Sequence, residues 1–259
     1  DTELQRRVAV KVIRPELMPG TDAMARFRWE AKAAAGFAHP NVVTVYDFGV
    51  AEDSRAYLVM ELLSGCSLRE EMLRCGRIDP NRVLEIMSGV SSAVAAAHER
   101  TLLHRDLKPE NVFLNRSGKT EVAKILDFGL AKLMAHDTGM ESIPGTAPGM
   151  LIGTLPYMSP ERIRGGTPME SWDIWALAVM AFEMLTGVHP FSALTTWGST
   201  LAEDRFPPME DNAPALTPQL KQFFKRALAV DRSLRPPSAR DFIVELQASL
   251  SEQAFLCSP

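Results

Sequence analysis

The chain has 259 residues, 46% hydrophobic and 23% charged, with 28 lysines and arginines against 32 aspartates and glutamates. That length bounds it to one or two domains with ample core, the composition is that of a soluble globular protein, and a net charge of −4 gives no basis for a nucleic-acid surface. No run is apolar enough to span a membrane, and the scattered cysteines Cys66, Cys75 and Cys257 lack metal spacing and read as reduced thiols in a cytosol.

Val8-Ala9-Val10-Lys11-Val12-Ile13 alternates and is β-branched, which predicts a strand. Pro15 and Pro19-Gly20 break it, and Thr21 or Asp22 can cap a helix through Phe27, Ala31 and Ala34 to about Gly36. His39-Pro40-Asn41 ends that helix. Val42 to Phe48 and Ala56 to Leu62 then read as two strands joined by a turn at Glu52-Asp53-Ser54. After Gly65 the pattern becomes helical. Asp79-Pro80 starts a helix whose apolar stripe of Val83, Ile86, Met87, Val90, Val94 and Ala97 has helical spacing.

Val112 to Leu114 and Val122 to Leu126 flank a Ser117-Gly118 turn and predict a hairpin. Leu130 to Leu155 is rich in Gly, Pro, Ser and Thr without a period, and long loops of that kind are usually functional or mobile. Ile174 to Leu185 contains Glu183, is followed by Gly187, and reads as a buried core helix; helices are expected near 171–186, 217–229 and 238–249. The chain divides near Leu63 into a small mixed lobe, 1–62, and a large helical lobe, 63–259.

The strongest chemical signal is Leu103-His104-Arg105-Asp106-Leu107-Lys108-Pro109-Glu110-Asn111, followed by Asp127-Phe128-Gly129. One carboxylate can accept a proton from a hydroxyl, while an amide and a second carboxylate can hold the magnesium that carries phosphates. On these strings the chain resembles the eukaryotic-like (Hanks-type) serine/threonine protein kinases, most closely their bacterial branch, from Val8 to about Leu250. The resemblance implies an α+β, bilobal protein-kinase fold. It also implies transfer of the γ-phosphate of ATP, with magnesium, to Ser and Thr hydroxyls of proteins.

It assigns roles residue by residue. Lys11, in Val-Ala-Val-Lys, corresponds to the cation on the α- and β-phosphates, with Glu30 as its partner. Alone, Lys11 reads as a solvated strand lysine and Glu30 as a surface glutamate, but Phe27 and Ala31 put an apolar face beside Glu30. Ala9 and Phe113 match the two sides of the adenine pocket, Met60 the gatekeeper, and Glu61 to Leu63 the hinge. Asp106 matches the catalytic base, and Lys108 the contact to the transferring phosphate found in the serine/threonine form. Asn111 and Asp127 match the magnesium ligands. His104 and Phe128 read as structural, stacked in a column with Val45 and Ala34; the small Ala34 predicts a looser helix position.

Arg105 beside Asp106 implies control by phosphorylation of the loop, with Thr146 favoured, then Ser142, over Thr138. Gly153 to Glu161 resembles the substrate-docking end of that loop, where Thr154 would reach Asp106 and Lys108 and Ser159 replaces a usual alanine. Glu161 is expected to pair with Arg235, and Asp173 to anchor the catalytic-loop backbone. Trp172 stands where a serine is usual and Ala178 where a glycine is usual.

The family's glycine-rich loop lies before Lys11, and no Gly-x-Gly-x-x-Gly occurs in this chain. Asp1 to Leu4 resembles the end of the second strand of the small lobe, so two strands of its sheet are missing and Val8–Ile13 is expected to present an open edge. Either the parent protein carries the loop upstream, or the chain is a catalytically weak pseudokinase used for binding or scaffolding. A small-molecule kinase is disfavoured by Lys108 and the docking segment. The implied partners are protein substrates and no nucleic acid, with pairing of two copies through the small lobe as in some relatives. The kinase domain is expected in the cytoplasm, and the parent protein can carry a membrane anchor beyond the residues given.

Overall fold

The structure, a computed structural model, describes residues 5–13, 20–52, 55–128, 155–191 and 216–256. Its strands are β1 (Val8–Val12), β2 (Val45–Val50), β3 (Ala56–Glu61), β4 (Gly65–Ser67), β5 (Val112–Ser117) and β6 (Thr120–Ile125). The helices are α1 (Gly20–Ala35), α2 (Leu68–Cys75), α3 (Pro80–His98), α4 (Pro160–Ile163), α5 (Glu170–Thr186), α6 (Pro218–Ala227) and α7 (Ala239–Leu256). This is the α+β, bilobal arrangement, with a small antiparallel sheet at one end of the sequence and helices after it.

The first sheet has the order β1-β3-β2, antiparallel throughout. Helix α1 covers it through Phe27 and Ala31, which close a small core with Ile13, Ala56 and Leu58. Among the described residues β1 pairs only with β3, and Val10 and Val12 are 57% and 51% exposed, so the open edge expected there is what the structure draws.

Strand β2 starts at Val45, later than its β-branched sequence suggests. Val42 and Val43 are occupied elsewhere. Val43 N donates to Ile125 O at 2.9 Å and Ile125 N to Asn41 O at 2.8 Å, so the α1–β2 connection docks on β6. Phe37 and Val42 accordingly belong to the large core rather than the small one.

The large core is built around α5, which is buried at every position from Trp172 to Thr186 except Glu183. Ala178 is fully buried there. Gly187 ends the helix at φ +76°, and a Cβ on it would approach Gly76 O to 3.1 Å. Helix α3 lies against α5 and α7, starts at the Asp79 cap, and buries the whole predicted stripe. The sequence reading did not single out α2. Its start is a capping box in which Ser67 and Glu70 satisfy each other's backbone donors.

Glu71 on α2 is fully buried and ties three elements together. It accepts from Arg74 on its own helix, from Arg82 of α3 and from Arg116 of β5. Burial alone would raise its carboxyl, but these guanidiniums hold it far below the usual carboxylate range. A carboxyl depressed on folding stabilises the protein above its unfolded pKa and loses that contribution as pH falls. Glu71→Gln should therefore lower stability near neutral pH by about 1.5–3 kcal/mol in a urea titration. Below about pH 4 the gap between wild type and variant should narrow; a constant gap would show that the charge of Glu71 is not what stabilises this junction.

Candidate active site

The segment joining α3 to β5 carries the nine-residue string, and a buried carboxylate pins it to the core. Asp173, in the first turn of α5 and 1% exposed, accepts from His104 N through Oδ2 and from Arg105 N through Oδ1, both at 2.9 Å. His98 Nε2, from the end of α3, donates to the same Oδ2 at 2.8 Å. Burial pushes the Asp173 carboxyl up, but the donors from His98 and His104 more than offset this and hold it below its ordinary value. His98 was not among the sequence candidates, since it sits at the end of an apolar helix with no motif around it.

So anchored, the loop holds Arg105 at φ +68°, and Asp127 after β6 sits at φ +57°. Each left-handed non-glycine residue costs about 1–3 kcal/mol and persists only where its surroundings over-determine it. Asn111 Nδ2 donates to the Asp106 carbonyl at 2.8 Å and to Asp106 Oδ2 at 3.1 Å. Lys108 Nζ lies 2.9 Å from that same Oδ2. Leu126 N donates to Asn111 O at 2.8 Å, which sets Asp127 beside the loop, and the Lys11 ammonium from β1 donates to Asp127 Oδ2. Lys11, Asp106, Lys108, Asn111 and Asp127 therefore form one linked set drawn from three segments.

Glu30 is buried on α1 and, with Ala33, Ala34 and Phe37, lines a cavity of about 160 Å³ that reaches Arg105 and Phe128. The ion pair drawn for Lys11 is the one with Asp127; a Lys11–Glu30 pair does not occur in this arrangement. His104 is fully buried, stacks edge-on against Phe128 with centroids 4.8 Å apart, and donates from Nε2 to Leu126 O at 3.0 Å. Phe37, not anticipated in this column, touches the other side of Phe128 at 5.4 Å.

Ala9 and Val45 both register against Met60 across β3, and Phe113 against Ser67. Ala9, Met60, Leu63 and Phe113 are each half-buried. The Glu61 side chain turns inward, where Oε1 accepts from Thr44 N at 2.8 Å and from Lys124 Nζ at 2.6 Å. Its backbone is thereby fixed at the end of β3.

Arg235 and Glu161 form a two-pronged pair, Nη1 to Oε1 at 2.8 Å and Nη2 to Oε2 at 2.9 Å, with the arginine side chain 1% exposed. Arg69 of α2, which sequence reasoning missed, joins Glu110 and Glu183 at 2.9 Å each and also donates to the Tyr157 hydroxyl. Tyr157 in turn donates to Glu183, and burial together with that carboxylate pushes its phenol up. Thr138, Ser142, Thr146, Thr154 and Gly129 lie outside the described residues.

The donor set fits magnesium. Asn111 commits its amide nitrogen to Asp106, which leaves a carbonyl oxygen, and Asp127 adds a carboxylate. Magnesium takes hard oxygens and is commonly held by one or two protein groups, with phosphate and water completing its shell. Among the described residues no group of three His, Cys, Asp or Glu side chains forms a self-sufficient metal cage. A metal here would depend on a nucleotide for the rest of its ligands.

Residues 1–245 match the protein kinase domain family. The chain is 37% identical over 250 residues to serine/threonine-protein kinase pkn3 of Myxococcus xanthus, covering 95% of this chain and 45% of that protein. It is 33% identical over 251 residues to serine/threonine-protein kinase PrkC of Bacillus subtilis, covering 96% and 37%. The chain thus spans less than half the length of these curated relatives. The crystal structure of the Mycobacterium tuberculosis PknI kinase domain matches with a TM-score of 0.68 at 26% identity, over 93% of this chain and 85% of that one.

If Asp173 holds the loop as drawn, Asp173→Asn turns one acceptor into a donor facing buried donors, at a cost of about 1–3 kcal/mol for each group left unpaired. Amide hydrogen exchange at His104 and Arg105 should accelerate by about tenfold or more, ahead of exchange elsewhere in α3 and α5. Unchanged protection at those two amides would rule out the anchoring role.

Proposed function

Because the chain belongs to the protein kinase domain family, we propose that it is an ATP-dependent serine/threonine kinase domain that phosphorylates proteins. The observation that carries this reading is the linked set of Lys11, Asp106, Lys108, Asn111 and Asp127. A phosphoryl transfer asks little covalent chemistry of the protein and mainly positioning and charge stabilisation, which such a set supplies.

In this reading Asp106 orients the attacking Ser or Thr hydroxyl and accepts its proton late in the transfer. Lys108 turns from Asp106 to the transferring phosphate. Lys11 holds the α- and β-phosphates, with Asp127 and, in the transferring arrangement, Glu30 as its carboxylate partners. Asn111 and Asp127 hold magnesium, which when bound neutralises charge on the phosphates. Ala9, Met60 and Phe113 wall the adenine, and the backbone from Glu61 to Leu63 meets its polar edge.

Arg105 is the docking point for a phosphate on Thr146 or Ser142, and Thr154 reads the acceptor side of Asp106 and Lys108. The lobes divide at 62–63. Among the described residues no helix is long and apolar enough to cross a membrane. The kinase domain works in the cytoplasm, on protein substrates.

The test is transfer of labelled phosphate from ATP to a Ser- and Thr-containing protein by the parent protein. Asp106→Asn should lower the rate by about 10²–10⁴-fold, while ATP affinity measured by titration with magnesium stays within about twofold, because the base contacts the acceptor rather than the nucleotide. Equal rates for wild type and variant would remove Asp106 from its role. Nucleotide binding with no transfer by the wild type would overturn the kinase reading itself.

A further inference from the structure

Three buried polar atoms without a hydrogen-bond partner among the described residues belong to side chains that line one small cavity. They are Asp106 Oδ1, Ser159 Oγ and Trp172 Nε1. The cavity measures about 10 Å³, the room that a single water needs. A buried polar group left unpaired costs about 1–3 kcal/mol, so three around one hole call for a common partner. A water has two donors and two acceptor sites. It can accept from the Trp172 indole N–H, donate to Asp106 Oδ1, and bond the Ser159 hydroxyl in either sense.

Resting on the reading of Asp106 as the base, we propose that Trp172 and Ser159 are positioning residues for the catalytic carboxylate, acting through one water held in this cavity. Trp172 is a departure already visible in the sequence, a tryptophan where the resembled family usually has serine, whereas Ser159 in place of the usual alanine is common in its bacterial branch. Each brings an unpaired polar hydrogen to the cavity that Asp106 also lines. Those two residues fix Oδ2. The water fixes Oδ1, so the plane of the carboxylate is held at both ends. When Lys108 turns to a phosphate, Oδ2 regains a lone pair for the incoming hydroxyl and Oδ1 stays committed.

The surroundings set the charge at the cavity. Arg162 of α4 donates to the Arg105 carbonyl and lays its guanidinium 5.3 Å from the centre of the Trp172 ring. Burial works against the charge of Arg162, and Asp106 and Asp173 favour it. The charged or titratable groups around Asp106 are thus Lys108 and Arg105 on its own loop, Arg162 from α4, Asp173 from α5, Tyr157 before α4, and His104, whose Nδ1 accepts from Asp106 N at 3.3 Å. Trp172 and Ser159 are the two neutral donors among the cavity-lining side chains left without a partner.

The experiment compares the parent protein with Trp172→Phe, which keeps the bulk and removes the N–H, with Ser159→Ala, and with the double variant. The double variant should lose about tenfold in kcat while KM for a peptide substrate stays within about twofold. Ser159→Thr, which restores the hydroxyl, should behave as wild type. Without any need for transfer, the Trp172 indole 1H–15N resonance at one fixed pH should move between the wild type and Asp106→Asn, because the water joins the two side chains. A wild-type kcat in the double variant, or a loss that Ser159→Thr shares with Ser159→Ala, would mean that the two side chains only pack, and would overturn the proposal. So would an indole resonance indifferent to Asp106→Asn, which also decides the matter if the variants do not fold. A wild type that transfers nothing defeats the base role of Asp106 instead, while the indole resonance still reports whether the two groups are linked.

Discussion

Asp173 is the constraint on which the rest depends. Helix α5 is apolar nearly all round and could not be buried with a bare carboxylate in its first turn. The charge is tolerated because His98, His104 and Arg105 bring three donors to it. The converse also holds. The backbone N–H groups of His104 and Arg105 are turned to Asp173, and Arg105 is in a left-handed conformation that would relax if it were not held. Core and loop therefore satisfy each other, and neither is stable in this form without the other.

From that fixed loop the site is reached by progressively weaker links. Asn111 is joined to Leu126 by a backbone hydrogen bond, and Asp127 follows in the chain. Lys11 comes last, across the gap to the small sheet, through an ion pair whose side chains are 38% and 24% exposed. Pairs of that exposure contribute about 0–1 kcal/mol. The magnitude suits the role proposed for Lys11, because an ammonium held so lightly can be redirected to another anion at little cost. Among the described residues the core beneath the small sheet holds five buried apolar side chains against the extended core around α5, which points the same way: the small lobe is the more easily adjusted half.

Features confined to one segment were readable in the sequence. The string from Leu103 to Asn111, the stripe of α3 and its Asp79 cap, the hairpin of β5 and β6, and the buried run of α5 all carry their evidence within twenty residues or so of chain. The roles of Asp173, Glu161 and Arg235 came only through the family resemblance, since nothing in their neighbourhoods announces a partner. What stayed hidden has a common physical cause. Arg69 meets Glu110, Tyr157 and Glu183 at separations of 41, 88 and 114 residues, and no periodicity reports such contacts. Val42 and Val43 have strand chemistry and do make sheet-like bonds, but to β6 rather than to β3, so propensity was right and the partner was invisible. The alternative partner of Lys11 was hidden in the same way, because both carboxylates are plausible from spacing and only the position of α1 decides between them.

Three arginines hold the short stretch from Leu155 to Ile163, and their geometry bears on how a substrate would be presented. Arg69 clamps Tyr157 against α2 and α5, Arg235 holds both oxygens of Glu161, and Arg162 reaches back to the carbonyl of Arg105. A lysine could supply each charge but not the planar fork, which makes two or three directed bonds at once and so fixes orientation as well as distance. The consequence is that the backbone from Tyr157 to Arg162 keeps a constant relation to Asp106, because its fastenings run to the catalytic loop, to α5 and to the α6–α7 connection. On the function proposed above, a peptide laid along that stretch would be measured against a rigid edge, and the position of Asp106 would inherit that rigidity rather than having to create it.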